Sequence, residues 1–292
     1  RNYWEFDGRD TFDILIGWRN PWLFDVPLKA RKKYLWLHDV MPVGEFTKER
    51  LDNLDKVILL SKYHRSLFPN IPDNKVFMSA NGIDAEEFEG SETCTRNPHK
   101  IIFASSHVRG LAHVLDIWPE VKKAVPDAEF HFFYGRQSFV AVNKDNPERM
   151  EWLAKQEARM KELDGVFDHG KVSQQEIAKE TMSSGIWAYP CPFPEISCIT
   201  AMKCQAGGAV PVASNFAALN ETIQYGVKMP MLDDNGVGVW NKDISEKYKV
   251  ALIDMLQDTT KQEEIRQEMI PWAKQQFSWT TVAKQWKEEF DK

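Results

Sequence analysis

Short runs of consecutive apolar residues alternate along this chain with stretches whose apolar positions recur every three or four residues. In the first third the runs are "FDILIGW" (12–18), "KYLWLHD" (33–39), "KVILLS" (56–61) and "KVFMSA" (75–80). Unbroken apolar runs of this length fit strands of a parallel sheet covered on both faces. Between the last two, "KYHRSLFPN" reads as a short helix stopped by Pro69. Residues 81–99, "NGIDAEEFEGSETCTRNPH", are rich in turn formers and acids and read as a linker.

After the linker the pattern restarts. "KIIFASS" (100–106), "AEFHFFYG" (128–135), "IWAYP" (186–190) and "VPVAS" (210–214) read as strands. They are separated by "RGLAHVLDIWPEVKKAVP", "ERMEWLAKQEARMKELDG" and "SQQEIAKETMSSG", which read as helices. Strand–helix alternation in two halves predicts two doubly wound α/β domains. The closing stretch from Lys261 is helical with an expected break near Pro271. Its Trp279, Val282 and Trp286 share one helical face that needs a partner. The opening residues, before the first run, read as if the chain starts partway into a domain.

Composition narrows the classes. A chain of 292 residues with 43% hydrophobic content can fill two cores. The net charge of −6 argues against a nucleic-acid partner, which needs a basic face. The one dense basic cluster, "KARKK" at 29–33, reads as a solvated segment before a strand, with weak contact to a membrane surface left open. Cys94, Cys191, Cys198 and Cys204 form no CxxC pair, which favours free thiols in a reducing cytoplasm and no metal site. Neither G-x-G-x-x-G nor G-x-x-x-x-G-K-[ST] occurs, so dinucleotide dehydrogenases and P-loop NTPases are disfavoured.

Ligands of open α/β sheets bind beyond the carboxyl ends of the strands, and several polar residues fall there. Arg109 follows "IIFASS" at a helix start, placed either to hold a phosphate or to face solvent. His38 ends "YLWLHD" and could donate to a phosphate or a sugar hydroxyl, or be structural. Gly170, Lys171 and Val172 form a small turn before a helix capped by Ser173, suited to a flat heterocycle or to a plain connection. "PFPEISCITAMKCQAGG" (193–209) places Glu195 before a helix that Ser197 is expected to cap and Gly207–Gly208 to end. Ile199, Met202 and Ala206 would form that helix's apolar stripe, with Cys198 and Cys204 as packing.

Five segments in order resemble the retaining glycosyltransferases of the large group 1 type. They are "LSKYHRSLFPNIPDNKVFMSANGID" (60–84), "RGLAHVLDIWPEVKKAVPDAEFHFFYG" (109–135), "HGKVSQQEI" (169–177), "PEISCITAMKCQAGGAVPVAS" (194–214) and "FSWTTVAKQWKEEF". The resemblance implies a GT-B fold: two Rossmann-like domains facing a cleft, the first of them short or incomplete. It implies residues 1–97 as first domain and linker, 98–270 as donor domain, and 271–292 as a helix crossing back to the first domain.

The same resemblance implies metal-independent transfer, with retention, from a nucleotide-diphosphate sugar to a glycan, lipid or small-molecule acceptor, without a cofactor. By position, Arg109 would neutralise the leaving diphosphate and Glu195, first acid of an E-x7-E motif, would bind the sugar. Ser197, Cys198 and Ile199 would offer helix N–H groups to the diphosphate, Gly170, Lys171 and Val172 would meet the nucleobase, and His38 would lie near the reacting centre.

Two positions depart from the pattern. The second acid would fall at 203, where this chain has Lys203, a donor with no acceptor. A second arginine is replaced by Ala104, and Lys203 is the candidate to supply the missing charge. These departures and the short first half raise the alternative of a non-catalytic protein binding nucleotide or glycan; a GT-B epimerase or phosphorylase is a further alternative.

Overall fold

The structure, a computed structural model, describes residues 9–41, 46–233 and 236–292. The chain divides into two compact units. One comprises the chain through Gly82 together with Glu195–Ser197 and Trp279–Lys292; the other comprises Ile83–Pro194 and Cys198–Ser278. The expectation that the chain opens partway into a domain concerns residues that lie outside the described ones.

The first unit holds four parallel strands in chain order: β1 (Thr11–Trp18), β2 (Lys29–Trp36), β3 (Lys56–Leu59) and β4 (Val76–Met78). Leu35, Val57 and Leu59 meet Phe24, Leu51, Leu54, Phe68 and Ile71 in its core, as the unbroken apolar runs predict. The basic cluster is not a solvated lead-in, because Lys29–Lys33 is the first half of β2, in register with β1. Pairing with the eight-residue β1 extends the strand beyond its apolar run, while Lys29 and Arg31 stay exposed. Lys32 Nζ donates to the Phe290 carbonyl at 2.8 Å.

That carbonyl belongs to the C-terminal helix α11 (Trp279–Phe290), which packs on this sheet. Trp286 meets Trp36 edge-on at 4.9 Å and donates through Nε1 to Ser79 Oγ at 2.6 Å, while Phe290 meets Tyr34 at 5.1 Å. Val282 is buried, but Trp279 stays half exposed over Gly82. The expected break at Pro271 is absent: α10 (Thr259–Phe277) runs through it and ends at Ser278, which is extended. Proline forfeits one backbone hydrogen bond, and the burial of Met269, Ile270, Ala273 and Phe277 around it holds the helix.

The second unit carries six parallel strands in the order β10-β9-β8-β5-β6-β7. They are β5 (Asn97–Phe103), β6 (Glu129–Phe132), β7 (Val166–Asp168), β8 (Ser184–Tyr189), β9 (Val210–Ser214) and β10 (Val227–Met229). Among the helices are α3 (Leu111–Ala124), α5 (Pro147–Glu162), α6 (Gln174–Ser183), α7 (Ile199–Gly207) and α9 (Lys242–Gln257). Ile101, Phe103, Phe130, Phe132, Trp187, Val210 and Val212 anchor its core. The linker is shorter than it reads: β5 begins at Asn97, and a 3-10 turn, Ala85–Phe88, buries Phe88 completely.

Candidate active site

In the second unit the chain leaves β5 in one direction through β6 and β7 and in the other through β8, β9 and β10. A doubly wound sheet opens a crevice where the order reverses, at the carboxyl ends of its strands. Here that crevice lies past Phe103 and Tyr189, and Ser105 Oγ and Tyr189 Oη meet there at 3.2 Å. The β5 connection closes as a 3-10 turn, His107–Arg109, and enters α3 through Gly110 in the left-handed region at φ 106°. A Cβ at Gly110 would stand 2.4 Å from the Pro190 carbonyl, so the two connections approach as closely as glycine allows. Arg109 is thereby laid over Phe193, its Cζ 3.2 Å from the ring centroid. A guanidinium stacked on an aromatic face keeps its charge while its orientation is fixed.

Beside this crevice is a cavity of about 350 Å³ whose lining belongs wholly to the second unit. It takes Ala104 just past β5, Phe133 and Tyr134 from the turn after β6, Lys171 and Val172 from the loop after β7, and Ile199, Thr200 and Lys203 from α7. Its mouth is shaped by two loops stitched together: Tyr134 N–H donates to the Gly170 carbonyl at 2.9 Å, and Gly170 N–H to Asp168 Oδ1 at 2.9 Å. Gly135 sits at φ 75°, and a Cβ there would be 2.9 Å from Lys171 N. Ser173 caps α6 as expected, accepting from Glu176 N–H at 3.1 Å.

The expectations for 193–209 need correction at one point. The residue at the N-cap of α7 is Cys198, extended at φ −89°, ψ 97°, and it makes no side-chain capping bond; Ser197 lies one residue outside the helix. Ser197 Oγ is buried without a hydrogen-bond partner among the described residues. The Cys198 side chain therefore caps none of the first-turn N–H groups of α7, and the positive end of the helix dipole lies at this end. Ile199 turns toward the cavity rather than the core, whereas Met202 and Ala206 are buried. Cys204 is buried too, and burial pushes its thiol pKa up.

Lys203 faces the cavity but is not a lone charge. Its Nζ lies 2.9 Å from Glu87 Oε2 and 2.9 Å from Gln174 Oε1, and the two charged side chains are only 16% and 21% exposed. Glu87 was unreadable as a site residue, because it stands in an acidic linker; burial of the adjacent Phe88 turns the segment inward. Phe193 was likewise hidden among prolines.

The remaining candidates are placed separately. Glu195 is half-buried between β8 and α7 and groups with the first unit. His38 follows β2, with Nε2 buried and no hydrogen-bond partner for that atom among the described residues. Trp36 and Trp18 lie edge-on to its ring at 4.5 and 5.9 Å. Burial, with help from Arg19, lowers its pKa to about 4, so the imidazole is neutral at neutral pH and Nε2 is shut away from ligands. Among the described residues no cluster of three or more His, Cys, Asp or Glu side chains could hold a metal ion, and no helix is long and apolar enough to cross a membrane.

Two units built on parallel sheets, the first with its strands in chain order and the second doubly wound, fit the GT-B fold. No protein-family model matches the chain, and no curated protein matches it. Solved structures do. The chain is similar to sucrose-phosphate synthase from Thermosynechococcus elongatus, at 14% identity over 96% of this chain and 73% of that one, with a TM-score of 0.67. It is similar to Anabaena HepE in complex with UDP and glucose, at 15% identity over 89% of this chain and 71% of that one, with a TM-score of 0.64. A third is a variant of S. aureus TarM in complex with Fondaparinux, alpha-GlcNAc-glycerol and UDP, at 12% identity, 90% and 51% coverage and a TM-score of 0.62. The chain spans about half the length of the TarM structures, 51% and 56%.

Proposed function

We propose that this protein transfers a sugar from a nucleotide-diphosphate donor to an acceptor hydroxyl, with retention at the anomeric carbon and without a metal ion. The observation that carries the reading is the convergence of one cavity and one stacked arginine on the switch point of the second sheet. Tyr134, Val172 and Ile177 give the cavity flat apolar walls for a nucleobase, with Lys171 at its edge. The first turn of α7 and Arg109 would receive the diphosphate, and their charge would count most as the leaving group gains negative charge. Solved structures of the same fold in complex with UDP support a nucleotide ligand.

Within this reading Glu195 orients the sugar hydroxyls, and His38 stands near the reacting centre as a neutral, packed imidazole that makes no hydrogen bond to the described residues through its buried Nε2. The lysine at 203 is itself held by the Gln174 oxygen of the cavity lining and by Glu87 outside it. The test is incubation with a panel of nucleotide-diphosphate sugars, following free nucleoside diphosphate, with chelator present. The anomeric configuration of the product is read by NMR. Binding without turnover of any donor sinks the transferase reading, an inverted product sinks retention, and loss of turnover with chelator sinks metal independence.

A further inference from the structure

The first unit presents a second constellation that the donor pocket does not use. At the carboxyl ends of β1 and β2, Trp18 and Trp36 are register partners, yet Trp18 is 61% exposed. The chain then turns through Arg19, held at φ 63°, where a non-glycine side chain is uncommon and costs about 1 kcal/mol or more. That conformation is fixed by Arg19 N–H donating to the Trp36 carbonyl at 2.9 Å. It lays the guanidinium 4.7 Å from the Trp18 ring centroid and pairs it with Asp39 at 3.2 Å. His38 wedges edge-on between Trp18 and Trp36. Four residues beyond Trp18, Trp22 is also 53% exposed, its N–H accepted by Asn20 Oδ1 at 3.0 Å.

A single exposed indole needs no explanation by itself. Here the adjoining turn at Arg19 is strained, and the ring is rimmed by one cation and one anion that neutralise each other. An anionic ligand would meet Asp39, and a cationic one Arg19. An uncharged ring with an apolar C–H face and equatorial hydroxyls fits both features: the face lies on the indole, and the hydroxyls accept from Arg19 and donate to Asp39. We propose that Trp18, Arg19 and Asp39 form a platform for a neutral pyranose of a saccharide, with His38 as a positioning residue beneath Trp18. The role of this platform as the acceptor subsite, which makes the acceptor a glycan, rests on the proposed transferase reading; the saccharide binding does not.

The experiment is saturation-transfer NMR on the whole chain with methyl glucosides, cellobiose and di-N-acetylchitobiose, each titrated with and without UDP. Transfer concentrated on the C–H protons of one ring face is expected, weakened at least tenfold by Trp18→Ala and only severalfold by Trp18→Phe. Arg19→Ala and Asp39→Ala each weaken it severalfold, while UDP-induced thermal stabilisation is unchanged in all four variants. No transfer to any of these saccharides, or transfer equally strong in Trp18→Ala, overturns the platform. So does UDP binding that is itself lost in Trp18→Ala, which would make the indole a nucleobase platform. Saccharide binding without UDP binding keeps the platform and sinks the donor reading instead.

Discussion

His64 sits under the strand ends that carry His38 and Asp39, and its hydrogen bonds fix its protonation state. Leu60 N–H donates to Nδ1 at 3.1 Å, so Nδ1 must be bare; Nε2 then carries the proton and donates to the Asp39 carbonyl at 3.1 Å. The residue is fully buried, and burial lowers its pKa from 6.5 to about 4. A second proton would have to enter against the Leu60 N–H. Because the folded pKa is depressed, the stabilising contribution is complete above pH 6.5 and disappears as pH falls toward 4. At roughly 1.4 kcal/mol per pH unit, His64 alone withdraws about 2 kcal/mol by pH 5. Glutamine can accept from Leu60 and donate to Asp39 without titrating, so His64→Gln should lose about 2 kcal/mol less than the parent between pH 7.5 and 5. Urea midpoints followed by tryptophan fluorescence measure the difference. Equal losses in the two proteins would refute the tautomer assignment, with His38, also lowered to about 4, supplying the residual slope in both.

Three further outcomes bear on the second unit. Arg109→Ala should lower kcat/KM for the best donor by a factor of about 100 to 1000 while melting within a few degrees of the parent, as expected for a group acting on a developing anion; steady-state rates and calorimetry decide it. Gly135→Ala should weaken UDP binding at least tenfold, about 1.4 kcal/mol, because the left-handed backbone and the clash with Lys171 N displace the loop; unchanged titration calorimetry would show the loop is not used. Lys203→Met and Glu87→Gln should each cost about 1 kcal/mol and the double variant less than their sum; additive urea stabilities would show that the pair is not coupled.

Much of the fold is legible because parallel strands buried on both faces must be unbroken apolar runs, and "KVILLS", "KIIFASS" and "IWAYP" are nothing else. Boundaries set by pairing are less so. β2 borrows four basic residues, Lys29, Arg31, Lys32 and Lys33, because β1 offers them partners, and no local pattern announces that. The caps fail for a related reason: Ser197 is the better capping side chain, but the tight run after Pro194 leaves it one residue short of the helix. Pro271 shows the converse, a strong local breaker overruled by the packing around it. The 170–172 turn was legible because glycine and a capping serine mark it. Phe193 and Glu87 were not, since each gains its meaning from a partner 84 or 116 positions away, Arg109 and Lys203 respectively.

That last separation bears on whether the departure at 203 marks a lost or a rearranged pocket. A lysine with no counter-ion would add a full positive charge beside a diphosphate and could replace the arginine that Ala104 removes. The ion pair with Glu87 argues otherwise, because a partly buried pair at 2.9 Å presents almost no net charge a few ångströms away. Under the proposed transferase reading, the burden of neutralising a diphosphate would then rest on Arg109 and the first turn of α7. Lys203 instead binds the Gln174 oxygen at the cavity wall and the Glu87 carboxylate behind it, at the position where the family resemblance leads one to expect a carboxylate. Under the proposed transferase reading, the acceptor role expected at 203 would pass to Gln174 and Glu87. On this argument Glu87→Gln should weaken donor binding more than Ala104→Gly, even though Glu87 stands in a segment that reads as linker.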